Sequence, residues 1–241
     1  MNSNKKSYSW QRVNCNYEKG LYMRIERVES LDKRKCKVFT DEGFAFLLYN
    51  GELEKYGVCE GAVLEERTER ELLDLLSRRA HERALNLLKV QDRTEGEMCR
   101  RLFQDGYPDS IVQETIGFLQ EYHFVDDARY AANYLQVHGK RKSQAELKLY
   151  LQRKGISREI IREQLEETEY DSGEAIRVLL EKKHYRAGET APEEEKKIIT
   201  YLMRRGFSWE DIRREMKEQK DALMAYEKAL TGNERHGKKK G

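Results

Sequence analysis

The residues best equipped for chemistry in this chain are cations. His138-Gly139-Lys140-Arg141-Lys142-Ser143 is followed by Lys148, Arg153, Lys154, Arg158 and Arg162, so residues 136–163 hold eight Lys or Arg against three Glu. Arg93, Arg100 and Arg101 stand at comparable positions upstream, and Arg204, Arg205, Arg213 and Arg214 downstream. Ammonium and guanidinium groups gathered in this way suit phosphate or an acidic protein surface. The same run also reads as the solvated face of a charged helix. Glu163, Glu166, Glu167, Glu169, Asp171 and Glu174 then reverse the sign, so the patch is local: 46 basic and 44 acidic residues leave a net charge of only +2.

Other reactive side chains lack a working geometry. His81, His123, His138, His184 and His236 are dispersed, and no Ser, Cys or carboxylate stands near any of them in a nucleophile pattern. Asp126-Asp127 stands just before an Ala/Tyr/Leu-bearing segment, where capping explains it better than metal binding or catalysis. Cys15, Cys36, Cys59 and Cys99 form no Cys-x-x-Cys pair and have no histidine at metal spacing, which reads as reduced thiols. No glycine cluster cradles a phosphate. The expectation is a non-enzyme with no catalytic residue, metal or cofactor. The longest apolar run, Phe44 to Tyr49, is far short of the roughly 20 residues that span a bilayer. With no secretory signal pattern at the front, a cytoplasmic protein is expected.

The elements that must carry the cations are marked by a repeat. Leucine, three residues, glycine, a bulky apolar residue and then Pro or Ser occur three times: Leu102-Gly106-Tyr107-Pro108, Leu151-Gly155-Ile156-Ser157 and Leu202-Gly206-Phe207-Ser208. Met98, Leu147 and Ile198 precede at helical spacing; Val112, Ile161 and Ile212, then Ile116, Leu165 and Met216, follow. One helical unit has been used three times. Gly106, Gly155 and Gly206 read as helix stops in the left-handed region, and Asp126 and Asp127 as caps of the next helix. Units this small bury few side chains and must lean on each other.

These signals predict a mainly α chain of three tandem three-helix repeats in an elongated curved array, preceded by a small antiparallel β region. The expected divisions are 1–18 a flexible lead-in, 19–64 the β region, 65–125 a linker helix with repeat 1, 126–170 repeat 2, 171–230 repeat 3, and 231–241 a flexible basic tail. Strands are expected around Leu21-Met23-Ile25, Cys36-Val38-Thr40 and Phe44-Phe46-Leu48, with a turn at Asp41-Glu42-Gly43 and a short helix from Glu52 to Tyr56. Helices are expected at about 66–90, and in repeat 3 at 174–186, 192–205 and from 209 to near Ala229.

Arg93-Thr94-Glu95-x-Glu97, Leu102-x-x-x-Gly106-Tyr107, Val125-Asp126-Asp127-x-x-Tyr130-Ala131, and Lys142 through Lys148, Leu151 and Lys154-Gly155-Ile156-Ser157-x-Glu159, taken in order, resemble the RecX family of bacterial recombination regulators. The match spans roughly 65–220, and Lys55-Tyr56-Gly57-Val58 resembles the end of an N-terminal extension in Gram-positive members. The resemblance implies a modulator of RecA that lies along the RecA filament on single-stranded DNA. It would inhibit ATPase, strand exchange and coprotease activities, and so tune recombination and SOS repair. Direct contact with single- or double-stranded DNA is a further expectation, as is a monomer. The residues expected to touch RecA or DNA are Arg93, Arg100, Arg101, Lys140, Arg141, Lys142, Lys148, Arg153, Lys154, Arg158, Arg204 and Arg205. Two readings stay open beside this one: a sequence-independent DNA binder acting without RecA, and a helical-repeat adaptor between proteins.

Overall fold

The structure, a computed structural model, describes residues 23–237 apart from Glu42 and Phe44. The expected lead-in 1–18, the Leu21 strand position, Phe44 and Cys15 lie outside the described residues. The chain divides into two compact units, Met1–Leu75 and Leu76–Gly241.

The first unit is a meander of three antiparallel strands, β1 (Ile25–Ser30), β2 (Lys35–Thr40) and β3 (Ala45–Tyr49), in the order β1-β2-β3, followed by α1 (Asn50–Tyr56) and the first half of α2 (Glu66–Leu88). Period-two alternation sends Ile25, Cys36, Val38, Thr40, Phe46 and Leu48 to the buried face. The Asp32 carboxylate accepts from the Arg34 and Lys35 N–H groups (2.7 and 2.9 Å) and so closes the β1–β2 turn. Gly43, at φ +72°, takes the β2–β3 turn.

The second unit holds the repeats. In repeat 1, α2 packs over α3 (Glu95–Gln104) and α4 (Asp109–Glu121). Repeat 2 is α5 (Asp127–His138), α6 (Gln144–Lys154) and α7 (Arg158–Glu167). Repeat 3 is α8 (Ser172–Lys182), α9 (Pro192–Arg204) and α10 (Trp209–Gly237). The apolar positions in register each enter their own core: Met98, Leu102, Val112 and Ile116 in the first, Leu147, Leu151, Ile161 and Leu165 in the second, Ile198, Leu202, Ile212 and Met216 in the third.

The leucine-glycine signature is a helix-termination motif. The N–H groups of Tyr107, Ile156 and Phe207 donate to the carbonyls of Leu102, Leu151 and Leu202, and those of Gly106, Gly155 and Gly206 donate to the residues three before. This six-to-one and five-to-two pairing needs the glycine's positive φ and sets the residue after it against the leucine. Ser157 and Ser208 then cap the next helix through hydrogen bonds from Ile160 N and Asp211 N.

Three boundaries differ from expectation. The strand expected around Leu21-Met23-Ile25 begins only at Ile25 and runs on to Ser30, because its partner β2 pairs with Ile25 to Ser30. Helix α8 ends at Lys182, where His184 turns left-handed (φ +55°), so the expected reach to Arg186 is cut short. Helix α10 continues past Ala229 to Gly237, into the segment expected to be a flexible tail. Strong helix formers such as Lys217, Glu218, Leu223, Met224 and Lys228 favour continuation, and the interior glycine at 232 costs only about 1 kcal/mol.

Candidate interaction surface

The central feature of the helical unit is a pair of matching junctions between repeats. Thr94 caps α3: its Oγ1 accepts from Glu97 N (3.2 Å) while Glu97 reaches back to Thr94 N, the reciprocal pairing of a capping box. That hydroxyl also donates to the Lys154 carbonyl at the far end of α6 (2.6 Å), and Glu97 Oε1 receives Lys154 Nζ (2.6 Å). The backbones nearly touch here, because a Cβ on Gly155 would lie 2.9 Å from Gly96 Cα. One repeat later the arrangement recurs. Ser143 caps α6 with Glu146 as its partner, the Ser143 hydroxyl donates to the Arg205 carbonyl, and Arg205 forks onto Glu146 through Nε (2.9 Å) and Nη2 (2.8 Å). A Cβ on Gly206 would lie 2.7 Å from Ala145 Cβ.

The N-terminal end of one second helix therefore meets the C-terminal end of the next, α3 on α6 and α6 on α9. Helix-terminal N–H groups and carbonyls, of opposite partial charge, face each other across each contact. The Glu97 hydrogen bond raises the Lys154 pKa, against a smaller opposing effect of burial. Burial alone would lower the Arg205 pKa, and hydrogen bonds with Glu146 and Tyr201 reverse this and leave it raised.

Further contacts tie repeat to repeat. The second carboxylate of the Asp126-Asp127 pair does a different job from the first. Asp126 caps α5 through Arg129 N (2.9 Å), whereas Asp127 accepts from Glu95 N (2.9 Å) at the start of α3, in the preceding repeat. Burial first, and Asp126 and Glu97 after it, raise the Asp127 pKa against the pull of that N–H; burial and Asp127 raise that of Glu95. Lys140 pairs with Glu174 of repeat 3 (2.9 Å), and at the end of repeat 2 Tyr170 OH donates to the Lys142 carbonyl of the same repeat (2.9 Å).

A tyrosine stack occupies one side of repeat 2. Tyr134 and Tyr150 lie face to face with centroids 4.0 Å apart, Tyr130 OH stands 3.5 Å from Tyr150 OH, and Lys142 and Lys154 sit over the rings. Burial, then the Tyr150 hydroxyl, pushes the Tyr130 phenol up to about 12. His138, against Tyr134, has its pKa lowered by burial and by Lys142 and Arg141.

These contacts sort the expected cations. Lys154 and Arg205 are held in ion pairs between repeats, and Arg100 donates to the Lys154 carbonyl (3.2 Å) at the same seam. Lys142 belongs to the tyrosine stack, where it donates to Tyr134 OH. Arg101 pairs with Asp105 (3.3 Å), and Lys148 donates to Gln144 (3.1 Å) one turn before it. Arg93 is half-buried, with its Nε enclosed by protein. Lys140, Arg141, Arg153, Arg158 and Arg204 remain exposed, and Arg162 joins them one turn after Arg158 on α7. Lys140 and Arg141 stand on the turn before α6, Arg153, Arg158 and Arg162 about the α6–α7 turn and Arg204 at the end of α9, and these are the candidate surface residues. Sequence reasoning missed the junctions, although the two capping boxes and the basic residue before Gly155 and Gly206 were the signal. Among the described residues no group of three or more His, Cys, Asp or Glu side chains could hold a metal ion, and no helix is long and apolar enough to cross a membrane.

Three family models match in order: those for the first, second and third three-helix domains of RecX, at residues 80–119, 126–165 and 169–216, together more than half of the chain. The chain belongs to the RecX family. Among its relatives is the regulatory protein RecX of Clostridium acetobutylicum, 27% identical over 203 residues, covering 80% of this chain and 95% of the relative. RecX of Clostridium tetani is 31% identical over 134 residues (54% and 62%), and that of Bacillus licheniformis 28% over 198 residues (78% and 73%). A crystal structure of regulatory protein RecX superposes with a TM-score of 0.54 at 22% identity, covering 81% of this chain and 99% of the other. RecX from Lactobacillus salivarius gives 0.53 at 22%, covering 61% and 97%. Both share the fold. The RecX relatives are regulatory proteins by name.

Proposed function

We propose that this RecX chain is a cytoplasmic, non-enzymatic regulator that binds RecA and its filament on single-stranded DNA. There it lowers ATPase, strand-exchange and coprotease activity. Membership of the RecX family through all three repeats carries this reading. The structure supports it physically: the junctions hold the repeats in fixed register, as a binder making several modest contacts requires, and exposed Arg141, Arg153, Arg158 and Arg204 supply cations for an acidic or phosphate-bearing partner. The test is the single-stranded-DNA-dependent ATPase of RecA with and without micromolar wild-type chain. Wild type is expected to inhibit, and Arg141→Glu/Arg153→Glu/Arg158→Glu/Arg204→Glu to lose at least tenfold in potency while keeping its melting temperature. Absence of both binding and inhibition by wild type overturns the reading. Steeply salt-dependent DNA binding without any RecA effect would favour the DNA-binding alternative instead.

A further inference from the structure

The outward face of the three-stranded sheet has a composition that solubility alone does not explain. Strand alternation and register place Arg27, Glu29, Lys35, Lys37, Phe39, Leu47 and Tyr49 on it, with Arg27 opposite Phe39, Glu29 opposite Lys37, Lys37 opposite Leu47 and Lys35 opposite Tyr49. Arg27 and Lys37 are exposed, Phe39 and Leu47 are half-buried, and Tyr49 is 44% exposed. Three cations stand against one carboxylate, and that carboxylate is paired with Arg27 (3.1 Å). The cations lie against the rings: Arg27 Cζ is 4.3 Å and Lys37 Nζ 4.9 Å from the Phe39 centroid, and Lys35 Nζ is 5.4 Å from that of Tyr49.

We infer that this face is a binding site for single-stranded nucleic acid. A ligand that satisfies it must offer flat unstacked rings and regularly spaced negative charge together. An acidic peptide offers carboxylates, with rings only where an aromatic residue falls between them, and a duplex hides its base faces within the stack. A single strand presents both: its phosphates draw Arg27, Lys35 and Lys37 off the rings they now cover, and its bases take their place on Phe39 and Tyr49. The two rings are offset by four residues, about 14 Å along the strands, which leaves space for a nucleotide between the two stacked bases. All of these residues lie within the first compact unit, so the inference stands apart from the proposed action on RecA.

Fluorescence anisotropy of the full chain with labelled 20-mers of thymidylate, of uridylate and of duplex DNA, over a salt series and without RecA, tests it. Both single strands are expected to bind alike and more tightly than duplex. Lys35→Glu/Lys37→Glu is expected to weaken binding at least tenfold and to flatten the salt dependence by about 0.7 per lost phosphate contact. Phe39→Leu keeps an apolar side chain in the strand and is expected to cost roughly fivefold or more with the slope unchanged. Lys37→Gln replaces the double variant if circular dichroism shows that its sheet is lost. All are repeated with Arg141, Arg153, Arg158 and Arg204 changed to Glu, so that the helical unit's cations do not mask the sheet. Wild type that ignores single strands, duplex bound as tightly, or sheet variants that bind like wild type in that background each overturn the inference. So does loss of RecA binding in the sheet variants with oligonucleotide affinity intact, which marks the face as a protein contact. Failure of RecA inhibition leaves the inference standing.

Discussion

Gly96 and Gly155 meet where two backbones approach within the space of a single methyl group. Ala normally stabilises a helix over Gly by about 1 kcal/mol, so Gly96→Ala would gain stability if only propensity mattered. Contact with the Gly155 backbone predicts the opposite sign: a net loss of about 1–2 kcal/mol, read in urea unfolding. Gly155→Val adds the cost of a left-handed β-branched residue to the same clash and should lose about 2–4 kcal/mol. At the ends of α7 and α8, Glu169 and His184 hold φ +45° and +55° without being glycine. Glu169→Gly and His184→Gly should each raise stability by about 0.5–1 kcal/mol, seen as a higher melting temperature. The helix-ending glycines were legible because each is followed by an apolar residue that must return to the core. The left-handed Glu169 and His184 were not, because no residue type there announces positive φ.

The second helices touch end to end, and each of these junctions carries its own ion pair. Arg205 and Glu146 form a half-buried fork, and a double-mutant cycle with Arg205→Gln and Glu146→Gln should return a coupling of about 1–2 kcal/mol, above that of an exposed pair. At the other junction the pH dependence has a definite sign. The folded-state pKa of Lys154 lies above its ordinary value of 10.5, so its contribution is complete below that value and disappears as pH rises through the elevated one. Tyr130, pushed up to about 12, loses stability in the same direction, since unfolding lets the phenol ionise from 10.0 upward. Alkaline unfolding between roughly pH 10 and 12 should therefore be less steep in Lys154→Gln. The helix-period stripes and caps made the helices readable element by element. The junctions were not, because a capping box reads the same whether its hydroxyl ends at its own helix or donates onward to a carbonyl some sixty residues away, as Thr94 and Ser143 do.

Within the helical unit, the three cores lie one per repeat and polar contacts at the junctions couple them. Nearest-neighbour coupling of this kind predicts that Glu146→Gln/Arg205→Gln uncouples repeat 3. Hydrogen exchange at Ile198 and Leu202 should then quicken while Met98 and Leu102 keep their protection. Exchange that quickens equally in all three repeats would contradict it. Fold class and repeat number were legible because they follow from apolar period and family motifs. The candidate surface was legible only in part: sequence shows where cations are, and folding decides that Lys154 and Arg205 face a neighbouring repeat while Arg153 and Arg158 face solvent.

The junction residues also distinguish the middle repeat from the outer two. Repeat 2 carries both halves of the contact, Ser143-x-Ala145-Glu146 at one end of α6 and Lys154-Gly155 at the other. Repeat 1 has Asp105 before its glycine, paired with Arg83 inside its own repeat, and repeat 3 begins α9 with Ala191 and places Glu193 where Gly96 and Ala145 stand. A gene that duplicated its central fifty codons in frame would thus encode four modules with compatible couplings throughout, whereas copying either terminal module would leave mismatched ends. The reach of such a protein can grow in evolution, or be lengthened by design, only from its centre.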